Sequence, residues 1–336
     1  VAADAHRKRR RERDDLMGLE PLVALVALVA IALYAIFGGA DFGGGVWDMC
    51  ASGPRRKRQQ DVIGHAIGPV WETNHVWLIF LIVLSFTCFP AAFAAVSIGL
   101  YVPLTFVLVG IILRGAAYAF RSQAYDHALM SQLWGHVFGI ASIVAPFFFG
   151  CAVGGLTLGY FAWSSPFALC IGVLAVALCA QIAAVFLTFE TRGDLQRDFR
   201  ARAMVATFAL AAIGAVALGI ARMAAPATFA SFGKPQALAG IGCAMALGFV
   251  VLGALYARSF AFARIAVAFE AVAVLAGWYA SQAPYLIPGE LTYAAAAAPA
   301  ATLRAFLWLT AIGSLLLVPS LVLLFRVFKS DPLTDV

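Results

Sequence analysis

Two carboxylic acids stand inside apolar stretches of this chain. Asp41 lies in Gly38-Gly39-Ala40-Asp41-Phe42-Gly43-Gly44-Gly45 and Glu72 in Trp71-Glu72-Thr73-Asn74-His75-Val76-Trp77. Ionisable groups in a bilayer are costly to keep and point to function by default. The turn between them carries Arg55, Arg56, Lys57 and Arg58, and each acid lies 15 or 16 residues from its centre. Antiparallel helices leaving that turn bring both carboxyls to a similar depth, about 15–20 Å inside one end at 1.5 Å per residue. His65, Glu72 and His75 follow at spacings of seven and three, which places them on one helix face. A ladder of protonatable groups on one face is the chemistry of a proton relay. The plainer alternative makes Asp41 a cap within the glycine cluster and leaves the histidines hydrogen-bonded and inert. Gly43 to Gly45 likewise suit close approach between helices.

The elements that must hold these groups follow from composition. Of 336 residues 63% are hydrophobic and 12% charged, where a soluble domain carries about 25% charged residues. That balance excludes a soluble enzyme, a disulfide-rich secreted module and a disordered chain. It predicts an all-α polytopic membrane protein, because each crossing needs about 20 apolar residues. Nine such segments are expected, near 19–48, 62–89, 93–120, 132–156, 164–189, 202–223, 236–257, 263–282 and 303–328. No connection is long enough for a soluble domain, so residues 17–336 read as one integral membrane domain.

Fourteen Lys and Arg fall on one side of these spans, and three (Arg222, Lys234 and Arg304) on the other. The positive-inside rule therefore predicts a cytoplasmic C-terminus and an N-terminus facing out. Residues 1–16 oppose that rule, with six Lys/Arg between Arg7 and Arg13. With Met17 just before the first apolar run, 1–16 reads as a basic extension, absent or disordered in the working protein. The six cysteines (Cys50, Cys88, Cys151, Cys170, Cys179 and Cys243) form no CxxC pair and read as small buried hydrophobes. No histidine comes with metal-ligand spacing. His136, alone on an apolar helix, is more readily a satisfied histidine than a haem ligand. Glu270 in the eighth span and Arg114 near the end of the third either pair within the chain or reach a partner.

Three patches resemble subunit II of the cytochrome bd-type quinol oxidases. The first joins Ala40-Asp41-Phe42-Gly43-Gly44-Gly45 to Gly68-Pro69-Val70-Trp71-Glu72-Thr73-Asn74-His75-Val76-Trp77-Leu78. It is similar to the family's Asp-x-Gly and Pro-x-Trp-Asp-x-Asn-x-Val-Trp-Leu runs. The second is Thr191-Arg192-Gly193-Asp194-Leu195, and the third runs from Pro284-Tyr285-Leu286-Ile287-Pro288 to Arg304. The resemblance covers residues 19–328, and the Trp71-to-Leu78 run is its most specific part. The chain departs from the family pattern in four places. Gly38 replaces a second acid, Glu72 replaces Asp, His75 replaces Gln or Glu, and Tyr293-Ala294 or nearby alanines replace Trp-Asp.

The resemblance implies the smaller subunit of a heterodimeric respiratory oxidase in the bacterial cytoplasmic (inner) membrane. Such a complex oxidises quinol and reduces dioxygen to water with protons drawn from the cytoplasm. The haems, b and d, belong to the larger subunit I. The smaller subunit supports it, holds no redox centre or metal, and lends carboxylates to a proton route. Carried over by position, that route comprises Asp41 and Glu72, with His65 and His75 beside them. Trp71, Asn74, Trp77 and Gly43 are the motif's structural members. The implied fold is two four-helix bundles plus one peripheral helix. A bound quinone or lipid is compatible with this reading, though no residue pattern fixes one, and nothing suggests nucleic acid. The alternative is a proton-coupled secondary transporter, which also combines midplane acids with Gly- and Pro-broken helices.

Overall fold

The computed structural model describes residues 18–123 and 128–328, with side chains described except at 67–72, 122, 128 and 325–328. The expected extension 1–16, Met17, His127 and the tail beyond 328 lie outside these. The chain is built almost wholly of helices, as its composition predicts. Helices α1 (Leu19–Met49) and α2 (Arg56–Cys88) form the first hairpin. A short α3 (Pro90–Gly99) leads into α4 (Tyr101–Gln123), and α5 (Ala128–Thr157) returns beside it. After them come α6 (Pro166–Glu190), α7 (Gly193–Ala224), the short α8 (Pro226–Phe232), α9 (Pro235–Tyr256) and α10 (Phe260–Gln282). A two-stranded ribbon, β1 (Tyr285–Ile287) with β2 (Leu291–Thr292), one turn of helix α11 (Tyr293–Ala296), and α12 (Ala300–Phe328) complete the fold.

Among the described residues, eight helices are long and apolar enough to cross a membrane, or up to nine if the bent pair α2–α3 counts as one span. Helices α1, α2, α4 and α5 form one group, and α6, α7, α9 and α10 a second. The most apolar stretch of α12 buries none of its residues within the chain. Prolines begin α3, α6, α8 and α9, where the missing N–H costs no helical bond. Ser165 caps α6 by accepting from the Ala168 N–H at 3.2 Å.

Two expected boundaries are corrected. The third span was expected over 93–120, but Pro90–Gly99 forms a separate helix bent 117° from Thr73–Cys88, and the crossing helix runs from Tyr101. Apolar composition alone cannot show where the chain bends between two helices. The sixth span was expected from residue 202, but α7 starts at Gly193. Charged residues end the apolar stretch, not the helix: Asp194 and Arg197 pair one turn apart within it.

Helix α1 is the central post. Ala40 and Trp47 join a core with Ile182, Val185, Val251, Leu255 and Val267 of the second group. Tyr34 and Phe42 pack with Ala145 of the first. Gly43 lets α1 approach α6 until a Cβ added there would lie 1.9 Å from the Cys179 carbonyl oxygen. Gly45 does the same toward Ser142 of α5, at 2.0 Å.

The basic end is bound together by polar contacts. Arg55 grips Asp198 with two nitrogens, Nε at 2.9 Å and Nη2 at 2.7 Å, which joins the first hairpin's turn to α7. Gln59 donates to the same carboxylate at 3.0 Å and accepts from Arg202 at 2.8 Å. Such a bidentate guanidinium–carboxylate pair is both stronger and more directional than a single contact. Arg200 donates to the Leu255 carbonyl at 2.7 Å, satisfying an end of α9.

Candidate functional site: a buried acid–base cluster on the first helix

Asp41 is fully buried, and it does not stand alone. Arg114 of α4, 2% exposed, places Nη2 2.5 Å from Asp41 Oδ1 and 3.1 Å from its carbonyl oxygen. The Nε of Arg114 donates to Ser142 Oγ of α5 at 3.1 Å, and that hydroxyl donates to the Phe138 carbonyl at 2.7 Å. The guanidinium also lies over the rings of Phe42 and Phe138, at 5.3 and 4.8 Å. From α2, Asn74 donates to Asp41 Oδ2 at 3.4 Å. Four helices thus meet around one buried pair, α2 and α4 at the Asp41 carboxylate and α5 through Arg114.

Arg114 is the residue that sequence reasoning misplaced. Starting the third span at 93 put Arg114 near its end, among the connection charges. With the helix starting at Tyr101, it falls in the interior, and thirteen bases remain in the count for the basic side. The available signal was a lone arginine in an apolar run beside a lone aspartate in another. Such charges pair when buried.

The other expected site residues are placed unequally. Asn74 is 1% exposed, and its Oδ1 has no hydrogen-bond partner among the described residues. Gly38 faces that amide: a Cβ there would lie 3.0 Å from Asn74 Oδ1. The position that carries a second acid in the resembled pattern is therefore filled from α2. His75 is half-buried and within electrostatic reach of Asp41. His65 is exposed, its Nδ1 2.7 Å from the Asp61 carbonyl on its own helix. Trp77 packs against the Tyr34–Phe42–Ala145 cluster, and its Nε1 has no partner among the described residues. The side chains of Trp71 and Glu72 lie outside the described residues. Their backbone belongs to α2, with Glu72 two residues before Asn74.

A second buried cluster lies in the other helix group. Gln181 of α6 donates from Nε2 to Glu270 Oε2 of α10 at 2.8 Å and to Thr207 Oγ1 of α7 at 3.1 Å. Gly248 of α9 makes room for the carboxyl, since a Cβ there would lie 3.1 Å from Glu270 Oε1. Glu270 therefore pairs within the chain, one of the two outcomes left open by the sequence. Replacing Glu270 with Gln keeps an acceptor for Gln181 and is expected to cost less than about 1 kcal/mol. Glu270→Ala leaves a buried amide short of a partner beside a cavity, and is expected to cost about 2–4 kcal/mol. Thermal unfolding of the two purified variants distinguishes them.

No three His, Cys, Asp or Glu side chains converge as a metal site among the described residues. His136 is exposed, with Nδ1 2.8 Å from the Gln132 carbonyl. All six cysteines are free, but only Cys88 and Cys151 are buried as expected; Cys50 and Cys243 are exposed.

A helical membrane protein that holds a buried acid–base pair across its first bundle is the class these features define. The family model for cytochrome bd terminal oxidase subunit II matches residues 19–328. The chain belongs to that family. It is 30% identical over 196 residues to the cytochrome bd ubiquinol oxidase subunit 2 of Bacillus subtilis, covering 53% of this chain and 57% of that one. It is 28% identical over 202 residues to the cytochrome bd-I ubiquinol oxidase subunit 2 of Escherichia coli K12, covering 54% and 52%. The aligned part spans about half the length of these curated relatives. In fold, it matches a chain of the bd oxidase from Geobacillus thermodenitrificans with a TM-score of 0.74 at 22% identity, over 93% of this chain and 99% of that one.

Proposed function

We propose that this chain is the smaller subunit of a bd-type quinol:dioxygen oxidoreductase of the bacterial inner membrane. The observation that carries the reading is the family match over residues 19–328. The larger partner, subunit I, supplies the haem chemistry, haem b and haem d; this chain supports that partner and handles protons. The basic end, with Arg55, Arg56, Lys57 and Arg58, is the cytoplasmic one, which puts the N-terminal side of α1 outside.

Within that frame Asp41 and Arg114 hold a fixed pair at the depth where the α2 motif passes. Glu72 and His75 lie within one turn of Asn74, which hydrogen-bonds Asp41. His75 acts electrostatically on Asp41, which supports a route that passes along α2 beside the buried pair. His65, exposed near the start of α2, is the entry.

Co-purification of the chain followed by a reduced-minus-oxidised spectrum tests the assignment. The complex is expected to show haem bands, and this subunit alone none. Glu72→Gln is expected to slow quinol-driven oxygen uptake several-fold while haem content stays near wild type. Unchanged turnover removes Glu72 from the route.

A further inference from the structure

At the basic end, a cleft of about 110 Å³ opens between the end of α1, the start of α2, the end of α4 and the start of α5. Arg56, Arg121, His136, Ser131, Gln60 and Asp48 are among its lining residues. A water needs about 10–15 Å³ of such space, so the cleft has room for a tetrahedral oxyanion.

Its charge is unbalanced. Among the described residues Asp48 is the one acid in the lining, and Arg121 already engages it, Nη1 to Oδ2 at 2.8 Å. Gln60 donates to the Asp48 carbonyl at 3.2 Å, which closes that side. The nearby acid Asp61 is paired with Lys57 at 3.6 Å. Arg56, exposed at the first residue of α2, also acts on Asp48, so among the described lining residues two guanidiniums face one carboxylate and one positive charge is in excess. His136 spends Nδ1 on its own helix, and among the described residues its other ring nitrogen has no hydrogen-bond partner. The hydroxyl of Ser131 and the amide of Gln132 supply neutral donors on the same wall.

Beside the cleft lies a strip of exposed apolar side chains. Leu129 is 84% exposed, Leu133 56% and Phe120 50%, and Phe120 stacks on Trp134 at 4.9 Å. A cationic notch bordered by an apolar strip at the end of a helical bundle matches an anionic headgroup with its acyl chains.

We propose that this cleft binds a phosphate-bearing anion, presented by an acidic phospholipid or as free phosphate, with Arg56 as its principal ligand. Guanidinium is suited to phosphate oxygens through paired N–H donors. Arg56 is exposed, and the direct ion pair of the buried Asp48 is with Arg121, so Arg56→Gln keeps that contact and tests the site.

The protein, purified with whatever subunits accompany it, is examined by native mass spectrometry after exchange into phosphatidylglycerol. In parallel, its thermal unfolding is followed with inorganic phosphate against chloride at matched ionic strength. One retained phosphatidylglycerol is expected, with retention about tenfold weaker in Arg56→Gln, as loss of a charged hydrogen bond implies. Arg258→Gln, a control at the same end outside the cleft, is expected to change nothing. If inorganic phosphate stabilises the wild type but not Arg56→Gln, while lipid retention is equal in both, the same site takes free phosphate. The proposal is overturned if neither ligand depends on Arg56, or if Arg258→Gln weakens binding equally. Haem content and oxygen uptake are read separately, so failure of this site leaves the oxidase assignment standing.

Discussion

Arg114→Ala is expected to destabilise the protein by about 3–5 kcal/mol, the range for breaking a buried ion pair from one side. The substitution strands Asp41, fully buried, with the long 3.4 Å contact from Asn74 as a weak answer to its carboxylate. It also empties the space between Phe42 and Phe138 and removes the donor to Ser142. Removing both partners behaves differently. Arg114→Met with Asp41→Leu replaces the pair by apolar groups, and such exchanges are often neutral or stabilising. The double variant is therefore expected to unfold at a higher temperature than Arg114→Ala alone. If it is no better, the loss comes from packing and not from the stranded charge. Arg114→Lys falls between them, since lysine restores charge without the planar fork.

Gly43→Ala carries the second large effect. The new Cβ would sit 1.9 Å from the Cys179 carbonyl oxygen, 2.5 Å from its carbon and 2.7 Å from the Ala183 Cβ. Two of these three are backbone atoms of α6, so no rotamer change relieves the clash. Helix α1 must move off α6, and overpacking of this kind costs about 3 kcal/mol or more where the backbone has to shift. Gly219, inside α7 with nothing within 4 Å of an added Cβ, is the matched control. There alanine is expected to stabilise by about 0.5–1 kcal/mol, because only the flexibility of glycine is lost. Thermal unfolding of both variants in the same detergent measures the contrast. Equal effects would mean that the α1–α6 contact is looser than these distances imply.

Much of the architecture was legible in the residues. Apolar runs of about 20 residues separated by basic clusters gave the helical membrane class and most crossings, because bilayer thickness allows little else. What the sequence could not give was direction. Pro90 begins a helix as apolar as its neighbours, and nothing in its composition says that it turns 117° away from the one before it. That one turn of the chain moved Arg114 from the rim to the interior and so hid the partner of Asp41. The neighbours of Asp41 were partly legible, since counting outward from the basic turn placed it near the Glu72–His75 stretch, and Asn74 of that stretch contacts it. The Gln181–Thr207–Glu270 cluster joins three helices that no periodicity links. Glu270 stood out as a lone acid in an apolar helix, whereas Gln181 and Thr207 carry no charge to draw notice. The cleft at the basic end was invisible for the same reason, its walls coming from four separate helices.

Because α1 gives Ala40 and Trp47 to one group of helices and Tyr34 and Phe42 to the other, the chain has no seam along which it divides into independent halves. A gene split after α5 would yield a C-terminal fragment with an open slot along α6, where the first helix normally lies. Expressed by itself, that fragment has no reason to reach its native arrangement. Supplied with the N-terminal piece, it should reassemble by receiving α1 into the vacant slot.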